Sequence, residues 1–302
     1  MSLCIAGHLN IDTVVNNNLE SSELAGGSAL YVAASASIFN DAVSINAKLC
    51  EDYPMKYLEL IGVKSTSLFT HIEKIKGNQR RSKMFYKHNT RNTLSHGQVE
   101  WYEKTIEQAP NTTLSDNNGS SLIHLSPTIP EIQKKLAIQA RDKGMLVSMD
   151  TSEFFAEKYK EELLSLLPYI DIFLPSDVEL ELLLKKKLAT PKDILLEVRK
   201  LNVPTVIVKL GEKGSLAVQR DQEENFYIKT NPIKVIDPTG AGDSYNGALI
   251  ANLLEGKSIV EACKIATVVA GICIQGVGVS NLLNVSLQKI YNQSDNIKWE
   301  RI

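Results

Sequence analysis

Seven residues and the helix behind them constrain this chain more than any other feature. Asp237-Pro238-Thr239-Gly240-Ala241-Gly242-Asp243 leads straight into an apolar, amphipathic stretch that stops near Gly256. A glycine just past the last turn is how helices commonly end. The residues before the helix form a turn that feeds it. Gly240, Ala241 and Gly242 carry little or no side chain, so their N–H groups can approach a ligand closely. The helix start adds unpaired donors and partial positive charge, which suits a phosphate or a developing oxyanion. Asp243 is repulsive there unless it serves a purpose, and the natural purpose is to take a proton from a hydroxyl nucleophile. Together these features predict phosphoryl transfer to an alcohol. The plainer alternative leaves Asp243 as a first-turn acid that interacts only with the helix dipole.

The same residues, with Gly247-Ala248 behind them, resemble the C-terminal signature of the ribokinase (PfkB) family of carbohydrate and nucleoside kinases. The resemblance implies that Asp243 is the catalytic base. It implies that the amides of Gly240, Ala241 and Gly242 form an anion hole for the transferred phosphoryl group. It also implies a fold: one α/β domain over residues 1–302, of three-layer α/β/α type with a mostly parallel central sheet. A small β-sheet lid is expected from insertions at about 13–24 and 68–95. The residues support this independently. Apolar strands at 3–7, 122–125, 146–149, 170–174 and 205–210 alternate with helix-like stretches, and several end in polar groups. That alternation argues a doubly wound parallel sheet.

On the acceptor side, alternation through His8-Leu9-Asn10-Ile11-Asp12 puts His8, Asn10 and Asp12 on one side of the chain. That puts a polar face at the end of the first buried strand, which is where open α/β sheets place ligands. Asp12 can accept two hydrogen bonds from a vicinal diol, or it can close an Asx turn. The resemblance favours the first role, with Asn10 as a second contact. Gly26-Gly27-Ser28 then opens a small-residue helix and resembles the family's Gly-Gly substrate motif. Many members carry an asparagine where this chain has Tyr31. A phenol there could stack on a base or line a sugar pocket, and it counts against simple ribose or fructose. Glu51-Asp52 matches an acidic turn of the family. Residues 69–72 and 82–88 look like exposed lid strands around a Gly77-Asn78 turn. Arg80, Arg81 and Lys83 on them read either as a clamp for an anionic group or as solvated lid surface.

On the nucleotide side, Pro175-Ser176-Asp177-Val178-Glu179 resembles an element usually written Pro-Asn-x-x-Glu. The resemblance gives Glu179 an indirect, water-mediated role with Mg2+; a surface helix residue is the rival reading. Ser176 replaces the usual asparagine. Lys209-Leu210-Gly211-Glu212-Lys213-Gly214 resembles a turn beside the nucleotide, although a tight β-turn needs the same glycines. Thr239 and Gly276 complete the expected ATP-binding set, and a monovalent-cation site near Asp237 is a further expectation. Two other patterns fail. Gly256-Lys257-Ser258 lacks the first glycine of a P-loop, because Ala251 stands there. Gly240-Ala241-Gly242 starts a dinucleotide fingerprint whose last glycine is replaced by Tyr245.

Composition narrows the partners. A net charge of −2 gives no basic field for nucleic acid or an anionic membrane. Cys4, Cys50, Cys263 and Cys273 show no CxxC pair and read as reduced core thiols. The chain shows no secretory pattern and no run of about 18 apolar residues, so a cytoplasmic protein is expected. The expected activity is therefore an ATP-dependent kinase acting on a small sugar, polyol or nucleoside, with a homodimer through the lid as a family analogy. A sugar phosphate needs the Arg80/Arg81 region to face the pocket. A non-catalytic sugar- or nucleotide-sensing protein on the same fold is the alternative of a different class.

Overall fold

Alternation along the strands decides the layering. In the strand Leu3–Ala6, Leu3 and Ile5 enter one hydrophobic core while Cys4 and Ala6 enter another. Farther along, Ile207 joins the first core and Val206 and Val208 join the second. Strands buried on both faces need helices on both sides. The computed structural model has this arrangement. It describes residues 1–302 apart from 17–18, 88–89, 95–98, 115–120, 221 and 223. The helices Ser28–Ala36, Lys56–Lys64, Ala241–Leu254 and Ile259–Ile274 cover one face, and Pro130–Asp142, Asp177–Leu184 and Pro191–Val198 cover the other.

Among the described residues the large sheet has 10 strands. From one edge they run His71–Lys74, Val43–Leu49, Leu3–Ala6, Leu122–Leu125, Leu146–Met149, Ile172–Phe173 and Thr205–Lys209, all paired in parallel. Ser215–Gln219, Asn225–Ile228 and Trp299–Arg301 continue the sheet as antiparallel strands. A second, smaller sheet centres on Asn10–Asn16. That strand pairs antiparallel with Leu19–Glu20 and Leu24–Gly26, and in parallel with Arg81–Lys87, which pairs antiparallel with Thr90–Leu94. Among the described residues no helix is long and apolar enough to cross a membrane.

Two expectations need correcting. Residues 69–72 do not contribute a lid strand. Asn46–Leu49 pairs in register with His71–Lys74, which is the exposed edge of the large sheet. An edge strand shows water one face and one row of backbone groups, so its side chains resemble those of an outlying sheet. Residues 8–12 are not the end of the first strand either. The chain leaves the large sheet after Ala6, and Asn10 opens the small one. Residues 17–18, 88–89 and 95 of the expected lid lie outside the described residues.

The Ala241–Leu254 helix packs against Ser28–Ala36 and Ile259–Ile274. A Cβ at Gly247 would fall 2.2 Å from the Val32 carbonyl oxygen, so only glycine permits this close crossing. Half a turn earlier, Tyr245 Oη meets Ser215 Oγ at 2.8 Å and ties the helix to the antiparallel strands.

Candidate active site

Three helices close their first turn with reciprocal side-chain caps: Ser176 with Glu179, Thr190 with Asp193, and Ser258 with Glu261. The Ala241–Leu254 helix begins differently. Its N-cap is Gly240, left-handed at φ 76°, with no side-chain cap. Its first N–H groups therefore have no side-chain cap, although the Ala241 N–H reaches the Pro238 carbonyl at 3.4 Å, and Asp243 lies half-buried in that first turn. The preceding turn is braced from within. Asp237 Oδ1 accepts the Thr239 N–H at 2.9 Å, and Thr239 Oγ1 donates to Tyr86 Oη of the small sheet at 3.2 Å. The other Asp237 oxygen, Oδ2, is buried without a hydrogen-bond partner.

Tyr31 backs this turn. It is 3% exposed, and a Cβ on Gly240 would lie 2.1 Å from its Cδ1. The ring fills the space under the turn and leaves almost no surface for stacking on a base. Burial, with the Asp12 and Asp237 carboxylates nearby, pushes the Tyr31 phenol well above its ordinary range. Tyr31 thus lies against the motif turn, near enough to Asp12 and Asp237 to feel both carboxylates.

Asp12 is 4% exposed and accepts the Gly27 N–H on Oδ2 at 3.2 Å. A Cβ on Gly26 would lie 1.9 Å from that oxygen, so the first glycine of the pair exists to let the carboxylate in. Asp12 Oδ1 is buried and makes no hydrogen bond of ordinary geometry, although the Asn10 amide lies close enough to favour its charge. Burial raises its pKa to about 6, against the opposing pull of the Gly27 N–H, the Arg80 charge and Asn10. His8 does not share this space, because its Nε2 is held by Thr128 Oγ1 at 2.8 Å.

Arg80 fits neither expectation for it. It is 7% exposed, with Nε on Asn10 Oδ1 at 2.7 Å and Nη1 on Thr105 Oγ1 at 2.8 Å. Its guanidinium stacks 4.9 Å from the Trp101 ring centroid. Burial lowers its pKa to about 10, with Asp12 opposing. Arg80 therefore orients Asn10 from behind. Arg81 and Lys83 are surface side chains paired with Glu23, Asp52 and Glu20, as solvated lid residues would be. Asp52 also accepts the Gln79 N–H at 2.7 Å, which gives the acidic turn a structural task.

Beneath Gly242 lies an ionic cluster. Lys209 Nζ donates to Asp150 Oδ2 at 2.7 Å, and Asn246 Nδ2 donates to the same oxygen at 2.6 Å. Burial works against the Lys209 charge, but Asp150, Glu179 and Asp243 outweigh it and raise its pKa. The pKa of Glu179 is raised by burial and then by Asp150, with Lys209 opposing. One Glu179 oxygen is occupied, accepting the Ser176 N–H at 2.7 Å in the capping box. Ser176 is thus a helix cap in place of the expected asparagine. Gly214 is explained by packing, since a Cβ there would lie 1.9 Å from the Ile228 carbonyl oxygen. Gly211 is left-handed at φ 58° in open space, and Gly276 abuts the Asn281 side chain.

A family model described as pfkB family carbohydrate kinase matches residues 59–285. The chain belongs to this family. It is accordingly a phosphotransferase with an alcohol group as acceptor. The cytidine kinase of Thermococcus kodakarensis is 25% identical over 269 residues, which are 88% of this chain and 93% of that one. Among solved structures, Burkholderia thailandensis nucleoside kinase in complex with inosine has a TM-score of 0.77 at 14% identity, covering 97% of each chain. Arabidopsis thaliana ribokinase complexed with ribose and ATP has a TM-score of 0.69 at 22% identity, covering 94% of this chain and 99% of the other. The fold is therefore ribokinase-like. Asp150 and Asn246 join this candidate site without having been singled out from the sequence, and Arg80 joins it in a role not expected of it. Asp150 had one faint signal, an acid at the end of a buried strand. Asn246 had none, and Arg80 was read only as a clamp or as lid surface, because their partners lie far away in sequence.

Proposed function

We propose that this chain is an ATP-dependent kinase that phosphorylates a hydroxyl of a nucleoside, sugar or polyol, with Asp243 as the base. The observation that carries the reading is the Gly240 helix start, which has no side-chain cap and holds Asp243 in its first turn. Asp12, with Asn10 and the Gly26-Gly27 turn, holds the acceptor's hydroxyls. Asp243 takes the proton of the attacking hydroxyl. The amides of Gly240, Ala241 and Gly242 receive the charge that develops on the transferred group. The nucleotide lies along the turn that follows Lys209, at Gly211 and Gly214, and along Thr239 and Gly276.

Mg2+ carried with the nucleotide neutralises phosphate charge and needs few protein groups. Among the described residues no cluster of three or more His, Cys, Asp or Glu side chains could hold a metal. Glu179, with one oxygen left beyond its cap, is the hard donor suited to reach such an ion through water. The reading includes a monovalent cation beside Asp237, whose Oδ2 is buried without a donor. Among acceptors a nucleoside is favoured, because the cytidine kinase relative matches over nearly its whole length.

The test is ADP release from Mg-ATP with cytidine, inosine, ribose, fructose and inositol as acceptors. A response confined to one class supports the reading and names the acceptor. A protein that binds ATP but releases ADP with none of them contradicts it.

A further inference from the structure

Three chain segments meet under the motif turn through one oxygen atom. Asp150 follows the strand Leu146–Met149, and Lys209 ends the strand Thr205–Lys209, with Ile172–Phe173 between them. Asn246 lies on the Ala241–Leu254 helix, three residues beyond Asp243 and four beyond Gly242. Residues at that spacing share a helix face. Asp150 Oδ2 accepts from both Lys209 Nζ and Asn246 Nδ2. The carboxylate cannot turn away, because Oδ1 accepts the Thr151 N–H at 2.8 Å and the Asp150 carbonyl accepts Gln133 Nε2 at 3.0 Å. Lys209 is fixed as well, its own N–H donating to the Pro175 carbonyl at 2.8 Å.

The location matters as much as the bonds. A Cβ on Gly242 would lie 3.5 Å from Lys209 Nζ, so the ammonium touches the underside of the turn. A cation beside the positive end of a helix is repulsive. Asp150 holds it there. The pair is 13% and 5% exposed, so water screens it little.

We propose that Asp150, Lys209 and Asn246 form a clamp that fixes the first turn of the Ala241–Leu254 helix against the sheet. Asp150 and Lys209 are then positioning residues for Asp243 and the Gly240–Gly242 amides. Lys209 acts from beneath the turn rather than as a nucleotide contact. The inference deepens the kinase reading and rests on it for its kinetic consequence.

The test uses the full chain with K209M, K209R, N246A, D150N and the double variant D150N/K209M. Hydrogen–deuterium exchange of residues 240–246 should quicken at least about tenfold in K209M, with the flanking strands unchanged. With the responding acceptor, kcat should fall by about 100-fold while both KM values hold within about threefold. K209R should recover part of the loss, and the double variant should lose no more than the worse single one, because the clamp acts as a unit. If K209M does not fold, N246A carries the same test without leaving a charge unpaired. Unchanged exchange in a folded variant overturns the proposal, as does a loss confined to the KM for Mg-ATP or strictly additive losses. The exchange arm needs no acceptor. A wild type that turns nothing over would therefore defeat the kinase reading while the exchange arm still decided the clamp.

Discussion

Asp12 keeps its negative charge against burial, and that conflict can be measured. Its pKa stands at about 6 in the folded chain, against an ordinary 3.8. The folded state thus holds the proton more tightly than the unfolded one. The stability this contributes is fully present below pH 3.8 and is lost as the pH rises through about 6. Asp12→Asn should therefore be more stable than wild type at pH 8, by up to about 3 kcal/mol in chemical denaturation. Only the ionised carboxylate accepts two hydroxyls, so kcat/KM for the acceptor should climb through about pH 6 in the wild type. Asp12→Asn should lose that step together with about 100-fold in kcat/KM. A pH profile unchanged by the substitution would remove Asp12 from the acceptor site. Two glycines give a steric contrast. Gly240→Ala drives a Cβ to 2.1 Å from the Tyr31 ring at φ 76°. Thermal melts should show a loss of about 2 kcal/mol or more. Gly242→Ala finds its nearest neighbour at 3.5 Å and should melt like the wild type.

The helices divide by how they begin. Ser258 and Glu261 cap Ile259–Ile274 reciprocally, whereas Ala241–Leu254 starts on a bare glycine. Ser258→Ala should lower stability by about 1 kcal/mol and leave kcat unchanged, as chemical denaturation and steady-state rates would show. The elements themselves were largely readable in advance. Apolar runs bounded by glycine and proline marked the buried strands, and Gly256 marked a helix end. Residues 69–72 were misread as lid because the edge strand His71–Lys74 carries the polar, exposed side chains of a lid. Asp12 was placed with the first strand because its polar alternation looks the same in either sheet, and only backbone pairing shows the crossing at residues 7–9.

At the scale of the whole molecule, two cores on opposite faces hold a sheet whose parallel strands point Asp150 and Lys209 toward the motif helix. Open α/β sheets gather ligands beyond these strand ends. The local half of the candidate site was legible in the sequence, because Gly240, Ala241, Gly242 and Asp243 lie together at one helix start. The other half was not. Arg80 becomes a buried brace only through Asn10, Trp101 and Thr105, and Tyr31 becomes a floor for Gly240 only through helix packing across the fold. Contacts between residues this far apart leave no periodicity or motif. The central claim is that Asp243 moves the acceptor's proton. Its most direct test is ADP release from Mg-ATP with the responding acceptor, wild type against Asp243→Asn, with ATP affinity measured in both. The account predicts a fall of about 100-fold or more in kcat with ATP affinity retained. A variant that turns over like the wild type would contradict it.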